Sequence, residues 1–257
     1  MPDFRAILKD LFLKANSGLI RRALSRWIPG CPLTLDEWAQ SHISYSQLGE
    51  DLFIDWVLRE KTRNNTPLFY VDIGCWKPVK HSNSFLFYRQ GGHGIAVDPN
   101  ASLVDIFRKQ RPRDTVIHAA ITSEEGSAEY CCYGWDEANS LVASTQHDNT
   151  SVLGQSPQRI ISVPAMTLSG LLERHLPAKT TVDFLDIDCE GHDLAILQSN
   201  DWNRFRPTVI LVEAHGLERQ METQEYLKAI DYETIATIGW SMVFQHLPSP
   251  AKTLDGL

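Results

Sequence analysis

Acids placed directly behind short apolar runs are the residues of this chain with the type and spacing to do chemistry. The first is Asp72, in Leu-Phe-Tyr-Val-Asp-Ile-Gly-Cys-Trp-Lys-Pro over residues 68–78. An uninterrupted apolar run such as Leu68–Val71 suits a parallel strand covered on both faces. Gly74 follows where the chain must turn, and its missing side chain lets backbone approach a ligand. Ligands of open α/β sheets bind beyond the carboxyl ends of strands, so Asp72 and Gly74 are candidate floor residues. The second acid, Asp98, ends the run Gly94–Val97 about 25 residues later and precedes Pro99 and Asn100. That separation is the one a βαβ unit produces, where an acid about 20 residues on holds ribose hydroxyls. A third run, Val182–Cys189, carries Asp186 and Asp188 at alternate positions and therefore on one strand face. Glu190 and His192 lie on the turn behind it. Two acids on one face of an apolar strand are costly unless they have partners.

The first turn, Gly-Cys-Trp-Lys-Pro, lacks the Gly-x-Gly-x-x-Gly pattern, so no pyrophosphate cradle is expected. A nucleoside cofactor without phosphates suits it better, and S-adenosylmethionine (SAM) is the common one. Ser82–Ser84 are expected to cap a helix at Phe85–Tyr88, aiming N–H groups at the cofactor carboxylate. Gln47 offers a donor and acceptors to an amino-acid moiety, or serves only as a polar surface residue. Ala119 and Ala120 leave room for adenine, although strand packing explains them nearly as well. His192 has the unperturbed pKa best suited to a general base. Asp188 and Glu190 orient it or act as base themselves; a structural hydrogen bond at a helix start is the alternative reading of His192. Asp186, Asp188, Glu190, Glu213 and His215 also make an oxygen-rich set suited to Mg²⁺. Acids near a sulfonium are explained without metal, and no metal is expected.

These residues require a frame of alternating strands and helices. Further strands are expected at Thr115–Ile121, Arg159–Val163 and Thr208–Val212, and a final antiparallel pair at Tyr232–Ile238 and Trp240–Leu247 turning at Gly239. Helices are expected behind Tyr45–Asp51 with Ser44 or Ser46 as cap, at Leu103–Gln110, around Leu168–Leu172, from Leu194, and at Gln224–Ile230. Residues 124–160 hold β-leaning pieces such as Ala128–Tyr133, and the polar Ser144–Ser156 reads as a loop covering the substrate.

The chain has 257 residues, 43% hydrophobic and 22% charged, enough for one sizeable α/β domain plus an extension. Its net charge of −8 argues against a nucleic-acid substrate. The five cysteines include no Cys-x-x-Cys, which suggests reduced thiols in a cytoplasmic protein. No signal peptide or membrane-spanning run is apparent. Residues 1–30 carry +4 and leave −12 on the remainder, with Phe4, Ile7, Leu8 and Leu11 at helical spacing. They read as a helix packing on the domain or on a second subunit, in preference to a basic amphipathic helix on an anionic membrane.

Taken together, Tyr-Ser-Gln-Leu-Gly-Glu-Asp (45–51), Phe-Tyr-Val-Asp-Ile-Gly-Cys-Trp-Lys-Pro (69–78), Ser-Asn-Ser (82–84), Val-Asp-Pro-Asn (97–100), Asp-Phe-Leu-Asp-Ile-Asp-Cys-Glu-Gly-His-Asp (183–193) and Arg-Pro-Thr-Val-Ile-Leu-Val-Glu (206–213) resemble the FkbM-type methyltransferases over roughly residues 44–247. The resemblance implies an α/β fold of the class I SAM-dependent type, Rossmann-like. Its seven-stranded sheet is mostly parallel, with helices on both faces and an antiparallel last strand. Here that domain would span 44–257, behind an N-terminal helical extension, 1–43. It implies O-methylation of a sugar, glycan or natural-product hydroxyl. Carried over, Asp72 and Gly74 sit at the cofactor floor, Ser82 and Asn83 near its amino-acid end, and Asp98 on the ribose with Asn100 beside it. Ala120 and Ile121 border adenine, and Asp186, Asp188 and Glu190 occupy the motif after the fourth strand. Asp186 departs from the Lys or Ser common at its position, and Cys75-Trp76 makes the first turn bulkier than usual. A catalytically silent SAM-binding module and a dehydrogenase are the rival readings; the missing glycine pattern speaks against the latter.

Overall fold

The computed structural model describes residues 40–64, 66–133, 140–141 and 157–247. The chain divides into two units, Met1–Ile43 and Ser44–Leu257. The first falls almost wholly outside the described residues, and with it the expectations for residues 1–30.

The second unit is built on strands β1 (Phe69–Ile73), β2 (His93–Asp98), β3 (Thr115–His118), β8 (Phe184–Ile187), β9 (Val209–Glu213), β10 (Tyr232–Ile238) and β11 (Ser241–His246). They form one sheet in the order β10-β11-β9-β8-β1-β2-β3. The β1, β2, β3, β8 and β9 neighbours pair in parallel, and β11 runs antiparallel to both β9 and β10. This is the expected seven-stranded, mostly parallel sheet, with the reversed strand inserted one place from the edge.

Strand β1 is buried throughout because both faces are covered. Val71 and Ile73 point to one side, into a core shared with Leu185, Ile187, Ile210 and Val212. Helices α5 (Leu168–His175), α6 (Asp193–Gln198) and α7 (Leu217–Lys228) close that side through Leu168, Ile196 and Leu227. Tyr70 points to the other, where Phe184, Leu211 and Val243 meet α1 (Glu50–Val57) and α3 (Phe85–Arg89) through Ile54 and Phe87. Helix α4 (Ala101–Gln110) packs on the same side, through Val104 and Phe107 against Ala96 and Val116. The short α2 (Arg59–Arg63) places Lys61 in an ion pair with the buried Asp183.

Several local expectations are corrected. The strand expected over Thr115–Ile121 breaks at Ala119, and β4 (Ala120–Ile121) leaves the main sheet. It joins β5 (Gly126–Cys132), β6 (Ser140–Leu141) and β7 (Arg159–Met166) in a second sheet of order β4-β7-β5-β6, which the sequence reading did not anticipate. Its β5 takes in the β-leaning piece Ala128–Tyr133 except for Tyr133; Ser144–Ser156 lies outside the described residues. Helix α7 begins at Leu217, well before Gln224, because Gly216 at φ +88° ends the preceding loop. Ser84 precedes α3 without capping it, since its hydroxyl donates to Asp72.

Candidate active site

The site grows from the turns behind β1, β2 and β8. Gly74, at φ +82°, lies so close to the β8 turn that a Cβ there would sit 1.9 Å from the Asp188 carbonyl oxygen. The N–H groups of Gly74 and Cys75 donate to the Val97 carbonyl at 2.9 and 3.1 Å, tying the first turn to the end of β2. Trp76 N–H then reaches Asp98 Oδ2 at 3.0 Å, and Asn100 N–H reaches Oδ1 at 2.7 Å. The Asp98 carboxylate is thus fixed from both turns, while each oxygen keeps a lone pair for a ligand hydroxyl. Burial pushes its pKa up to about 6, against the pull of the two N–H groups.

A cleft opens over these turns. Gln47, Gly74, Trp76 and His81 line one part, Val97–Pro99 and Leu103 another, and Ala119–Ile121 with Tyr130 and Leu141 of the second sheet a third. Asp188, Cys189 and Glu190 complete it. The sheet order β8-β1-β2 puts the acids of the β8 turn on one side of Gly74 and the apolar slot of Pro99, Leu103, Ala120 and Ile121 on the other. The segment leading into Gln47 is tied to Asp51, whose carboxylate accepts Tyr45 N–H at 2.7 Å and the Ser44 and Ser46 hydroxyls at 2.6 and 2.9 Å. Trp76 has φ +42°, a rare backbone state for a bulky residue, and its buried indole N–H has no partner.

Beneath the cleft, Asp72 and Asp186 face each other in register across β1 and β8. Asp72 accepts the Ser84 hydroxyl, and Asp186 accepts Asn83 Nδ2 at 3.2 Å. Burial raises both pKa values; Arg111 pulls Asp72 back, whereas Asp72 and Asp188 push Asp186 further up. At the β8 end, the Glu213 carboxyl lies against Asp188 and disfavours its ionisation. Burial drives both upward, Glu213 to about 7. Glu190, Glu213 and His215 bring one ligand atom each within 4.8 Å of one another, and His215 Nε2 lies 3.0 Å from Glu213. Asp193 holds the turn by accepting the N–H groups of Cys189 and Gly191 at 2.8 and 2.9 Å, and burial lifts its pKa to about 7.

Of the residues singled out from sequence, Gln47, Gly74, Asp98, Ala120, Ile121, Asp188 and Glu190 meet at the cleft. Asp72, Ser82, Asn83 and Asp186 form the layer below it. Asn100 uses its side chain to cap α4, accepting Ser102 N–H at 3.1 Å. His192 is not among the cleft-lining residues; its ring bonds the Leu141 backbone, and burial lowers its pKa. Sequence reasoning missed Trp76 as a lining group, Asp193 as the clasp of the turn and the fully buried Arg111. An acid two residues after a glycine is a turn signal that would have found Asp193. Nothing near Arg111 distinguishes it from the surface arginines around it.

These residues fit a nucleoside cofactor: a fixed carboxylate with free lone pairs, a slot of small and apolar residues, and a buried indole donor without a partner. The family model described as the methyltransferase FkbM domain matches residues 72–235. No curated protein matches the chain. Similar solved structures include a TehB-like SAM-dependent methyltransferase from Corynebacterium glutamicum, at 13% identity and TM-score 0.40, over 90% of this chain and 100% of that one. Another is the O-methyltransferase from Bacillus cereus in complex with SAH, at 12% identity and TM-score 0.41, over 88% and 96%. A methyltransferase from Geobacter sulfurreducens aligns at 15% identity and TM-score 0.38, over 95% and 98%. With the family's domain matched from Asp72, in β1, to residue 235, in β10, the chain belongs to the FkbM family of SAM-dependent methyltransferases.

Proposed function

We propose that this methyltransferase acts on a hydroxyl oxygen of a glycan or natural-product acceptor, with the Asp188–Glu213 carboxyl pair as proton acceptor. The observation that carries the reading is the gathering of acids at the β8 end of the cleft, Asp188 and Glu190 on its wall and Glu213 within 4.8 Å of Glu190. SAM supplies a methyl group on a sulfonium, open to in-line attack. Asp98 would hold the ribose hydroxyls, Ala120 and Ile121 would flank adenine, and Gln47 with Asp72, Asn83 and Asp186 would serve the amino-acid end. Gln47, Asp188 and Glu190 would hold the acceptor oxygen in line with the methyl, which is largely a positioning effect. A hydroxyl is a weak nucleophile until its proton is accepted, and a base is most effective with a pKa near the working pH. Glu213, raised to about 7, meets that condition, and Asp188 relays to it at the cleft wall. The His192 ring, beside the Leu141 backbone, would brace the second sheet against the β8 turn. The net charge of −8 favours a small acceptor over a nucleic acid. Labelled SAM offered with hydroxylated acceptors tests the reading: label should enter an alkali-stable ether, and Asp188→Asn should abolish most of the transfer.

A cation-assisted variant is favoured by one observation, the convergence of Glu190, Glu213 and His215 within 4.8 Å. A divalent ion there would lower the pKa of a bound acceptor hydroxyl. Loss of transfer on chelation, restored by Mg²⁺, would select this variant over the carboxyl-pair base.

A further inference from the structure

Arg111 is a cation with no exposed surface, and burying a guanidinium is costly unless every donor is satisfied. Its Nε donates to Asp114 at 2.7 Å and its Nη2 to the Tyr70 hydroxyl at 2.8 Å. Asp114 also accepts from the Tyr70 hydroxyl and from Gly94 N–H, at 2.7 and 3.0 Å. Those bonds close a structural network along β1 and β2. The remaining nitrogen, Nη1, points elsewhere, donating to the Ser84 and Ser82 hydroxyls at 3.0 and 3.2 Å.

The Ser84 contact has a fixed polarity. A guanidinium only donates, so Ser84 Oγ accepts from Nη1 and its single proton is left to donate. That proton goes to Asp72 Oδ2. Guanidinium, hydroxyl and carboxylate therefore form a directed chain, and it favours an ionised Asp72. Asp72 needs such help: it is buried, and its neighbour across the strands is another acid, Asp186. Asp114 already neutralises one side of the guanidinium, so only part of its charge acts on Asp72.

We propose that Arg111 is a positioning residue for the cofactor: through Ser84 it holds Asp72 as an oriented carboxylate and so sets the affinity for the ammonium group at the amino-acid end of SAM. This rests on the reading that Asp72 serves that end of the cofactor.

The relay affects one part of the ligand only, and that makes it testable apart from general damage. S-adenosylhomocysteine carries the amino-acid end; 5′-methylthioadenosine lacks it and keeps adenosine and sulfur. Calorimetry of the full chain with both ligands compares wild type with Ser84→Ala, which removes one hydroxyl and leaves Arg111 in its network. Arg111→Gln is the companion variant, and Ser84→Ala keeps the test decisive if Arg111→Gln does not fold. A hydrogen bond to a charged group is worth about tenfold or more in binding, so S-adenosylhomocysteine should weaken at least about tenfold in Ser84→Ala. Binding of 5′-methylthioadenosine should change less than about twofold. Equal weakening of both ligands, or no change in either, would overturn the relay. If wild type binds neither nucleoside, the cofactor reading itself fails and takes the relay with it.

Discussion

As the proposed ribose ligand, Asp98 should tie cofactor affinity to pH in a way that its surroundings determine. Its carboxylate is fixed by the N–H groups of Trp76 and Asn100, and burial lifts its pKa to about 6. The ribose hydroxyls require the anion, since a protonated acid would offer a competing donor. Affinity should therefore sit on a plateau above about pH 7 and fall tenfold per unit as pH drops below about 6. The sign for stability is the opposite. A folded-state pKa of about 6 lies above the usual 3.9, so this group's contribution to folding is present below 3.9 and lost as pH rises through 6. That loss is on the order of 3 kcal/mol for a shift of about two units. The perturbation is Asp98→Asn, which keeps the shape and removes the charge. Two hydroxyl bonds to a charged acceptor, at about 1.5–3 kcal/mol each, are weakened or inverted, a net loss of about 3 kcal/mol or a factor on the order of 100. Calorimetry with S-adenosylhomocysteine from pH 5 to 8 reads both effects: the variant should bind weakly and with the inflection near pH 6 gone. An unchanged affinity at pH 8, or an inflection that survives the substitution, would refute the role of Asp98.

Asp188→Asn and Glu213→Gln should each lower turnover by roughly 10²–10⁴ with little change in cofactor affinity, measured by single-turnover label transfer. His192→Ala should keep more turnover than either, because its ring does not line the cleft; a loss as large as that of Asp188→Asn would return the base role to His192. Gly74→Ala forces a Cβ into the Asp188 carbonyl at a positive φ and should cost about 4 kcal/mol or more, a fall in Tm on the order of 10 °C. Asp193→Ala strands two N–H groups of the β8 turn and should cost about 2 kcal/mol in denaturant unfolding.

Much of the frame was legible because buried parallel strands are written as apolar runs, and each acid at a strand end was visible as a break in one. The reversed β11 was legible too, since the turn at Gly239 sits between two alternating segments. The second sheet was not. Its β7 pairs with both β4 and β5 across long separations that leave no local period, and β6 adds only two residues beside β5. The break at Ala119 was equally hidden, because Thr115–Ile121 is β-prone throughout and only the sheet to which each half belongs separates them. Within the site, strand-end acids could be placed by topology, but the direction of a side chain on a turn could not. His192 shows this: its spacing behind Asp188 suits catalysis, yet it bonds the Leu141 backbone. Arg111 shows the converse, a residue typical of surfaces made internal by the neighbouring Phe107 and by three aromatic rings and a serine pair more than twenty residues away in sequence.

The most direct test of the cleft as the cofactor site is a crystal structure of the full chain with S-adenosylhomocysteine. The account predicts both ribose hydroxyls on Asp98, adenine between the Ala120–Ile121 strand and Leu103, and the sulfur directed toward the Asp188–Glu213 pair. A nucleoside bound elsewhere, or bound in the cleft with its ribose away from Asp98, would contradict it.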